Sequence, residues 1–143
     1  MSCTTKNIRK KILFDSNVLI SAVLNPNGSP RKSLFKATTY CQAYICDQTV
    51  EELNLNFTTK LSKYLDRLME FWRIFSEKFT VIPMPEDKID LENKIRDETD
   101  RPILRAAISA AIDIIATGDR DFTESKIDHP MILTPSQFLI LDL

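Results

Sequence analysis

Short apolar runs, separated by helical patterns, recur along the whole chain. The first run, Lys11 to Phe14 (KILF), is followed at once by Asp15 to Asn17, a triplet of residue types that start helices. Four similar runs follow: Ala43 to Cys46, Thr80 to Ile82, Ile114 to Ala116 and Met131 to Leu133. Strands that alternate with helices predict an α/β fold with a parallel sheet covered on both faces.

The spacing of apolar residues indicates the helices between these strands. One helical face is made mostly of small side chains, at Ile103, Ala106, Ala107, Ala110 and Ala111. Apolar residues spaced by three and four from Leu61 to Phe79 predict one long amphipathic helix. The polar segment from Glu86 to Asp97 is helical in tendency. Shorter helices are predicted over Val18 to Leu24, Arg31 to Thr39 and Gln137 to Leu141, with another opening at Asp47.

The composition is that of a globular protein. The 143 residues are 43% hydrophobic and 27% charged, which argues against a disordered or fibrous chain. Residues 1–143 are interpreted as a single domain, with a flexible N-terminus at residues 1–10. The chain has no apolar run of membrane-spanning length and no apolar core of a signal peptide, so we expect no membrane association and a cytoplasmic location. The cysteines lack paired spacing, and Cys41 and Cys46 are interpreted as packing residues.

The charges are distributed unevenly although the net charge is only −1. Residues 1–80 hold 12 Lys and Arg against 7 Asp and Glu, whereas residues 81–143 hold 7 against 13. This asymmetry fits a basic surface beside an acidic metal pocket. A plain solvated surface fits it equally well.

Four acidic residues are predicted to meet at one edge of the sheet. Asp15 follows the first strand directly, and Asp119 lies just beyond the end of the fourth. Strand ends at the switch point of a doubly wound sheet lie side by side. Asp100, at the start of the alanine-rich helix, and Glu52, in the first turn after the second strand, can reach the same edge.

Converging carboxylates repel one another, and a divalent cation is the simplest compensation. Ligand sets of oxygen alone suit Mg²⁺ or Mn²⁺ better than Zn²⁺. On phosphate esters such ions activate a water molecule and neutralise charge on the leaving oxygen, so the predicted chemistry is phosphodiester hydrolysis. The hydroxyl of Thr117 is a candidate ligand or water contact, and Gly118 is a turn residue that lets metal or phosphate come close.

Each acid also has a simpler structural explanation. Asp15 and Asp100 have the type and position of helix N-caps, and Thr49 with Glu52 has capping-box spacing. Asp121 fits a supporting position at the site and a plain surface position equally.

An ordered set of motifs resembles the PIN-domain family of metal-dependent ribonucleases. These motifs are FDSNVLISAVL near the start, VEEL in the middle, RDETDRPILRAA, and IIATGDRDF followed by MILTPSQFL. The similarity is to the bacterial branch of toxins from toxin–antitoxin pairs, related to the virulence-associated-protein-C toxins. It implies a three-layer α/β/α fold around a parallel sheet of about five strands.

The resemblance also assigns residues of this chain to the site. Asp15, Glu52, Asp100 and Asp119 match the family's four acids, with Asp15, Asp100 and Asp119 as metal ligands. Asn17, Thr117 and Asp121 match positions that support the metal site. Glu51 is adjacent to Glu52 and can exchange roles with it, so the choice between them stays open at this point.

Partners follow from the same resemblance. The substrate is expected to be RNA, with Arg31, Lys32, Lys36, Arg101 and Arg120 as candidate phosphate contacts. A toxin would be restrained by an antitoxin protein that offers an Arg to the carboxylates. A homodimer through the helices between Arg31 and Phe79 is a further expectation.

Two other functions are compatible with parts of this pattern. A haloacid-dehalogenase-type phosphatase also begins with a strand that ends in an Asp, but it needs a second Asp two residues later, where this chain has Asn17. The other alternative is a non-catalytic α/β module that binds RNA or protein and whose acids hold a structural cation.

Overall fold

The computed structural model describes residues 9–143, so residues 1–8 of the predicted flexible N-terminus lie outside it. Five strands form one sheet in the order β3-β2-β1-β4-β5, and every neighbouring pair is parallel. The strands are β1 (Lys11–Phe14), β2 (Gln42–Cys46), β3 (Thr80–Ile82), β4 (Ile114–Ala116) and β5 (Met131–Leu133). The predicted parallel sheet of about five strands is therefore confirmed.

Strand β1 lies at the centre of the sheet. Its Leu13 is in register with Tyr44 of β2 on one side and with Ile115 of β4 on the other. Because all strands run the same way, their carboxyl ends meet at one edge of the sheet. The residues that directly follow β1 and β4 therefore lie close together.

Seven α-helices connect or follow the strands within the described residues. They are α1 (Ser16–Leu24), α2 (Ser29–Tyr40), α3 (Asp47–Thr58), α4 (Leu65–Phe75), α5 (Arg101–Ser109), α6 (Arg120–Thr123) and α7 (Pro135–Leu139). None of the helices in residues 9–143 is long and apolar enough to cross a membrane.

The strand alternation divides the core into two clusters, one on each face of the sheet. Ile12 and Phe14 point to the face that α1 to α4 and α7 cover. Leu13 and Ile115 point to the other face, which α5 and α6 cover. These two covered faces confirm the three-layer α/β/α arrangement. Cys41 and Cys46 are buried free thiols, as predicted, and burial raises the pKa of Cys46 to about 12.

Two helix predictions were wrong in extent. The stretch from Leu61 to Phe79 is not one helix: a 3₁₀ turn (Ser62–Tyr64) precedes α4, and the chain turns again after Phe75. The apolar spacing continues through these turns because Phe79 still packs on Phe75, with ring centroids 6.0 Å apart. The segment from Glu86 to Asp97 forms only a 3₁₀ turn, Asp90–Lys94.

A buried ion pair holds that 3₁₀ segment against α5. Arg105 donates from Nε to Oε1 of Glu92 at 2.7 Å and from Nη2 to Oε2 at 2.8 Å. Oε1 of Glu92 also accepts the backbone N–H of Ile89 at 2.8 Å. These hydrogen bonds from Arg105 and Ile89 lower the pKa of Glu92 to about 2. The pair therefore fixes the segment that leads into Asp100.

We predict that this pair makes the protein sensitive to acid. The folded-state pKa of Glu92 lies below the unfolded value of about 4.3, so its stabilisation is present above that pH and is lost as pH falls towards about 2. In urea unfolding from pH 7 to pH 2.5, Glu92→Gln should lose less stability than the wild type below pH ~4.5. Parallel pH profiles for the two proteins would contradict this assignment.

Helix α5 ends in a left-handed residue that is not glycine. The N–H of Ile112 donates to the carbonyl of Ala107 at 2.8 Å, and the N–H of Ala111 donates to Ile108 at 3.2 Å. These two bonds form a Schellman motif, in which the residue after the cap adopts positive φ. Ala111 has φ 55°, where its Cβ is strained.

Replacing this alanine should stabilise the fold. Ala111→Gly removes the left-handed strain, partly offset by the greater freedom of glycine in the unfolded chain, for a net gain of about 0.5–1 kcal/mol. Chemical denaturation would measure the gain. Ala110→Gly, at the preceding residue, whose φ is −93°, is the matched control and should destabilise or leave stability unchanged.

Candidate metal centre

The four predicted acids lie on four different elements at the carboxyl edge of the sheet. Asp15 directly follows β1, Glu52 is in α3, Asp100 immediately precedes α5, and Asp119 immediately precedes α6. The N–H of Asp15 donates to the carbonyl of Ala116 at 3.0 Å, which extends the β1–β4 pairing by one residue. The sheet therefore places Asp15 beside the turn that carries Asp119.

Three of these acids line one cavity. Asp15, Glu52 and Asp100 surround a space of about 150 Å³. The cavity is also lined by Ser16, Gln48, Thr49, Met84, Thr99, Pro102 and Ile103. Glu52 lines this cavity and Glu51 is not among its lining residues, so Glu52 stays the predicted site acid of the two.

Hydrogen bonds from its neighbours orient Asp15 and link it to Asp119. Oδ2 of Asp15 accepts from the hydroxyl of Thr117 at 2.9 Å, and Oδ1 accepts from the N–H of Ser16 at 2.7 Å. The same Thr117 hydroxyl oxygen accepts the N–H of Asp119 at 3.0 Å. Thr117 is fully buried, so this connection between the two acids is rigid.

Burial and mutual repulsion raise the pKa values of two acids. Asp15 is buried, and its desolvation, opposed by the hydrogen bonds from Thr117 and Ser16, leaves its pKa above the ordinary value. Burial, contact with the Asp119 carboxyl and the charges of Asp119, Asp15 and Asp97 raise the pKa of Asp100 to about 8. The site thus gathers more negative charge than its surroundings neutralise.

One carboxylate oxygen of this group lacks a partner. Oδ2 of Asp100 is buried and has no hydrogen bond in the structure. An orphaned buried acceptor among carboxylates, with donor atoms that are all oxygen, fits a hard divalent cation. Asp100 is also one of three acids, with Asp97 and Asp121, whose ligand oxygens lie within 4.8 Å of one another.

The simpler structural explanation holds for one of these acids and fails for two others. Asp15 does cap α1, through the bond from Ser16, while it also faces the cavity. The Thr49–Glu52 capping box is wrong, because α3 already begins at Asp47 and Thr49 lies buried inside the helix. The side chain of Asp100 makes no capping bond to α5.

The supporting residues lie near the acids but make different contacts. Asn17 accepts the N–H of Gly118 through Oδ1 at a long 3.5 Å, so it braces the loop after β4. Gly118 has no positive φ, and a Cβ there would meet nothing within 4 Å. The backbone at Gly118 therefore does not itself require glycine, and its role in letting metal or phosphate come close stays a prediction. Asp121 is half-buried and pairs with Arg96 at 2.8 Å.

The basic residues predicted to contact RNA divide into two groups. Arg31 is buried, donates to the carbonyl of Ala22 at 2.9 Å and lies over the rings of Phe71 and Phe75. This placement corrects the prediction for Arg31, whose guanidinium belongs to the core and is withheld from phosphate. The ammonium group of Lys36 donates to three carbonyls at the end of α7 and just beyond it, those of Phe138, Leu139 and Leu141.

The remaining three lie at the surface. Lys32 is exposed, and Arg120 is exposed and paired with Glu124 at 3.2 Å. Arg101 is half-buried and donates to the carbonyl of Ile95 at 2.9 Å. Arg101 and Arg120 directly follow Asp100 and Asp119, so both lie beside the acids.

Sequence reasoning missed two residues near the centre. Asp97 was not among the predicted site residues, yet its carboxylate is one of the three closely spaced acids. Arg96, its neighbour, was not considered, although it pairs with Asp121. The two residues stand directly before the ETD of RDETDRPILRAA, and only the fold reveals that they reach Asp121 across 25 positions.

Comparison with known proteins decides the family. The profile of the PIN domain matches residues 11–121, a range that covers most of the chain and includes the four predicted acids. The chain belongs to the PIN-domain family. This PIN domain is 29% identical, over 160 aligned residues, to an uncharacterized protein of Methanocaldococcus jannaschii, covering 94% of this chain and 92% of that protein.

Solved structures share the fold of this PIN domain. FitAcB from Neisseria gonorrhoeae matches with a TM-score of 0.62 at 24% identity, covering 87% of this chain and 98% of that chain. VapBC2 from Rickettsia felis, bound to a DNA fragment from their promoter, matches at 0.61 with 15% identity, covering 86% and 96%. DNA-bound VapBC from Salmonella typhimurium matches at 0.57 with 17% identity, covering 87% and 96%. These similarities show an α/β fold of the PIN type.

We predict that Asp100 destabilises the metal-free protein. Its folded-state pKa of about 8 lies above the unfolded value, so the wild type should lose stability as pH rises from about 4 to 8. In urea unfolding with EDTA at pH 8, Asp100→Asn should be more stable than the wild type, by on the order of 1 kcal/mol. The difference should vanish near pH 4.

Asp66→Asn is the control for this experiment, because Asp66 is an exposed acid on α4. It should leave the pH profile of stability unchanged. Equal stability of Asp100→Asn and the wild type at pH 8 would show that Asp100 is not repelled in the folded state.

Proposed function

We propose that this PIN domain is a ribonuclease that depends on Mg²⁺ or Mn²⁺ and acts as the toxin of a toxin–antitoxin pair. The observation that carries the proposal is the convergence of Asp15, Glu52 and Asp100 on one cavity beside Asp119, with an unpartnered oxygen on Asp100. A site of this charge and geometry suits phosphodiester hydrolysis better than simple recognition, because the raised pKa values of Asp15 and Asp100 show that their charged forms are disfavoured without a cation.

Each residue has a distinct proposed role. Asp15, Asp100 and Asp119 hold the metal through carboxylate oxygens, and Glu52 adds negative charge at the rim of the cavity. Thr117 keeps Asp15 in place, since its hydroxyl donates to Oδ2 and accepts from the Asp119 backbone. When bound, the metal supplies activation of a water nucleophile and neutralisation of the phosphate.

RNA would approach along the surface beside the acids. Lys32, Arg101 and Arg120 are proposed phosphate contacts. Substituting any one of them should weaken RNA binding, and the loss should be larger at low salt than at high salt. Arg31 is left out because its side chain is buried. The RNA sequence that is cleaved would be found by sequencing the products that the purified protein makes from total RNA.

The proposed partners follow from the family and the similar structures. Those structures are VapBC and FitAcB assemblies, two of them described as bound to DNA. We propose that an antitoxin protein covers the acidic cavity of this chain with an Arg, whose paired donors match a carboxylate. A homodimer through the helices between Arg31 and Phe79 is proposed with it. A short open reading frame beside the gene would support the antitoxin.

Substituting one metal ligand should abolish cleavage without unfolding the chain. Asp119→Asn and Asp15→Asn are expected to lower the rate of RNA cleavage in Mn²⁺ by at least about 100-fold, because each removes a charged ligand. Fluorescence-labelled RNA and circular dichroism would measure the cleavage rate and the fold. Asp66→Asn, far from the cavity on α4, is the matched control and should cleave normally.

Two outcomes would count against the proposal. Unchanged Mn²⁺ affinity in both variants would show that Asp15 and Asp119 do not bind the metal. Absence of cleavage by the wild type over a range of RNAs in Mg²⁺ and Mn²⁺ would favour the non-catalytic RNA- or protein-binding module.

A further inference from the structure

One carboxylate of the acidic edge already has a cationic partner within the chain. Nε and Nη2 of Arg96 both donate to Oδ1 of Asp121, at 3.0 and 2.8 Å. Asp121 belongs to the three acids, with Asp97 and Asp100, whose ligand oxygens lie within 4.8 Å of one another. The guanidinium therefore occupies a carboxylate that is close enough to the others to share a metal ion.

The backbone on both sides of Arg96 is fixed, while its side chain is not. Ile95 is fully buried, and its carbonyl accepts from Nε of Arg101 at 2.9 Å. Asp97 accepts the N–H of Thr99 at 3.0 Å. The side chain of Arg96 is 78% exposed, however, and exposed ion pairs are weak. Arg96 can thus leave Asp121 without any movement of the chain.

We propose that Arg96 is an internal competitor of the divalent cation for Asp121. The inference rests on the metal site of the proposed function, which shares Asp100 with the group of Asp97, Asp100 and Asp121, and it adds a residue that sets the affinity of that site. Both donors of Arg96 contact Oδ1 of Asp121, so a cation at this carboxylate either displaces the guanidinium or binds the other oxygen against its positive charge. Because the backbone at Arg96 stays anchored, the released guanidinium also remains near the ion and opposes its binding.

Arg96 acts on the cation through Asp121, so it is a positioning residue and not a catalytic one. With Arg96 on Asp121, the metal-free chain keeps Asp121 paired beside Asp100, whose Oδ2 has no partner. Metal binding would exchange a single positive charge for a double one at the same carboxylates. The exchange sets the metal concentration above which the site fills.

Mn²⁺ titration of purified wild-type and variant chains, followed by calorimetry and by the electron paramagnetic resonance signal of free Mn²⁺, tests the proposal. Arg96→Gln should bind Mn²⁺ about five-fold more tightly than the wild type, which is the strength of a good exposed ion pair. Lys94→Gln removes the same charge from the same surface pocket, which Arg96 and Asp121 also line, and should change affinity less than two-fold at 0.15 M salt. In an Asp121→Asn background the effect of Arg96→Gln should disappear.

The possible failures are distinguishable. Equal Mn²⁺ affinity of Arg96→Gln and Lys94→Gln, with the wild type still binding, would overturn the competition and leave the metal site intact. Persistence of the Arg96 effect in the Asp121→Asn background would overturn it as well, since Asp121 would then not be the contested group. Absence of Mn²⁺ binding in every variant would overturn this inference together with the metal site itself.

Discussion

The parallel pairing of β1 with β4 is the constraint on which the candidate site depends. Main-chain hydrogen bonds join the two strands and continue one residue further, where the N–H of Asp15 donates to Ala116. Backbone groups in a buried sheet must pair, so this register cannot slip without exposing apolar side chains. The pairing brings together two segments that are 102 positions apart, and Thr117 then joins Asp15 to the backbone of Asp119.

The same pairing of strands brings carboxylates together whose negative charge the rest of the fold does not neutralise. Burial raises the pKa of Asp15, and burial with the nearby carboxylates raises the pKa of Asp100 to about 8. Stable proteins seldom keep such groups without a use, because each charged form is disfavoured in the folded state. Elsewhere the chain settles its buried charges by pairing, as Glu92 does with Arg105 and Arg31 does with two phenylalanine rings. Glu92 and Arg31 have partners within the fold, whereas Oδ2 of Asp100 is buried without one, which is consistent with the metal site of a PIN domain.

Much of the architecture was readable from the sequence, because strands and the residues that end them are local features. All five strands and the acids after β1 and β4 were predicted from short apolar runs and the residues that follow them. The end of α4 was not predicted, because Phe79 continues the apolar spacing of three and four residues after the helix has ended. Nor were the places of Arg31 and Arg96, because the partner of a long basic side chain depends on the tertiary fold. Which of Glu51 and Glu52 lines the cavity likewise depends on how α3 packs on the sheet, which the local sequence does not show.

The elements that carry the predicted metal ligands differ in how firmly they are packed. Asp15 directly follows the central strand β1 and Glu52 lies within the twelve-residue helix α3, whereas Asp100 follows a segment that has only 3₁₀ turns and is held to α5 by the Glu92–Arg105 pair. Segments with few packed side chains open locally at lower free energy than the whole domain. A cation that joins Asp100 to Asp15 would close this segment against the sheet, so part of its binding energy would appear as order in the chain. Metal affinity and the local stability of the segment before α5 are then linked quantities, and a change in either one alters the other.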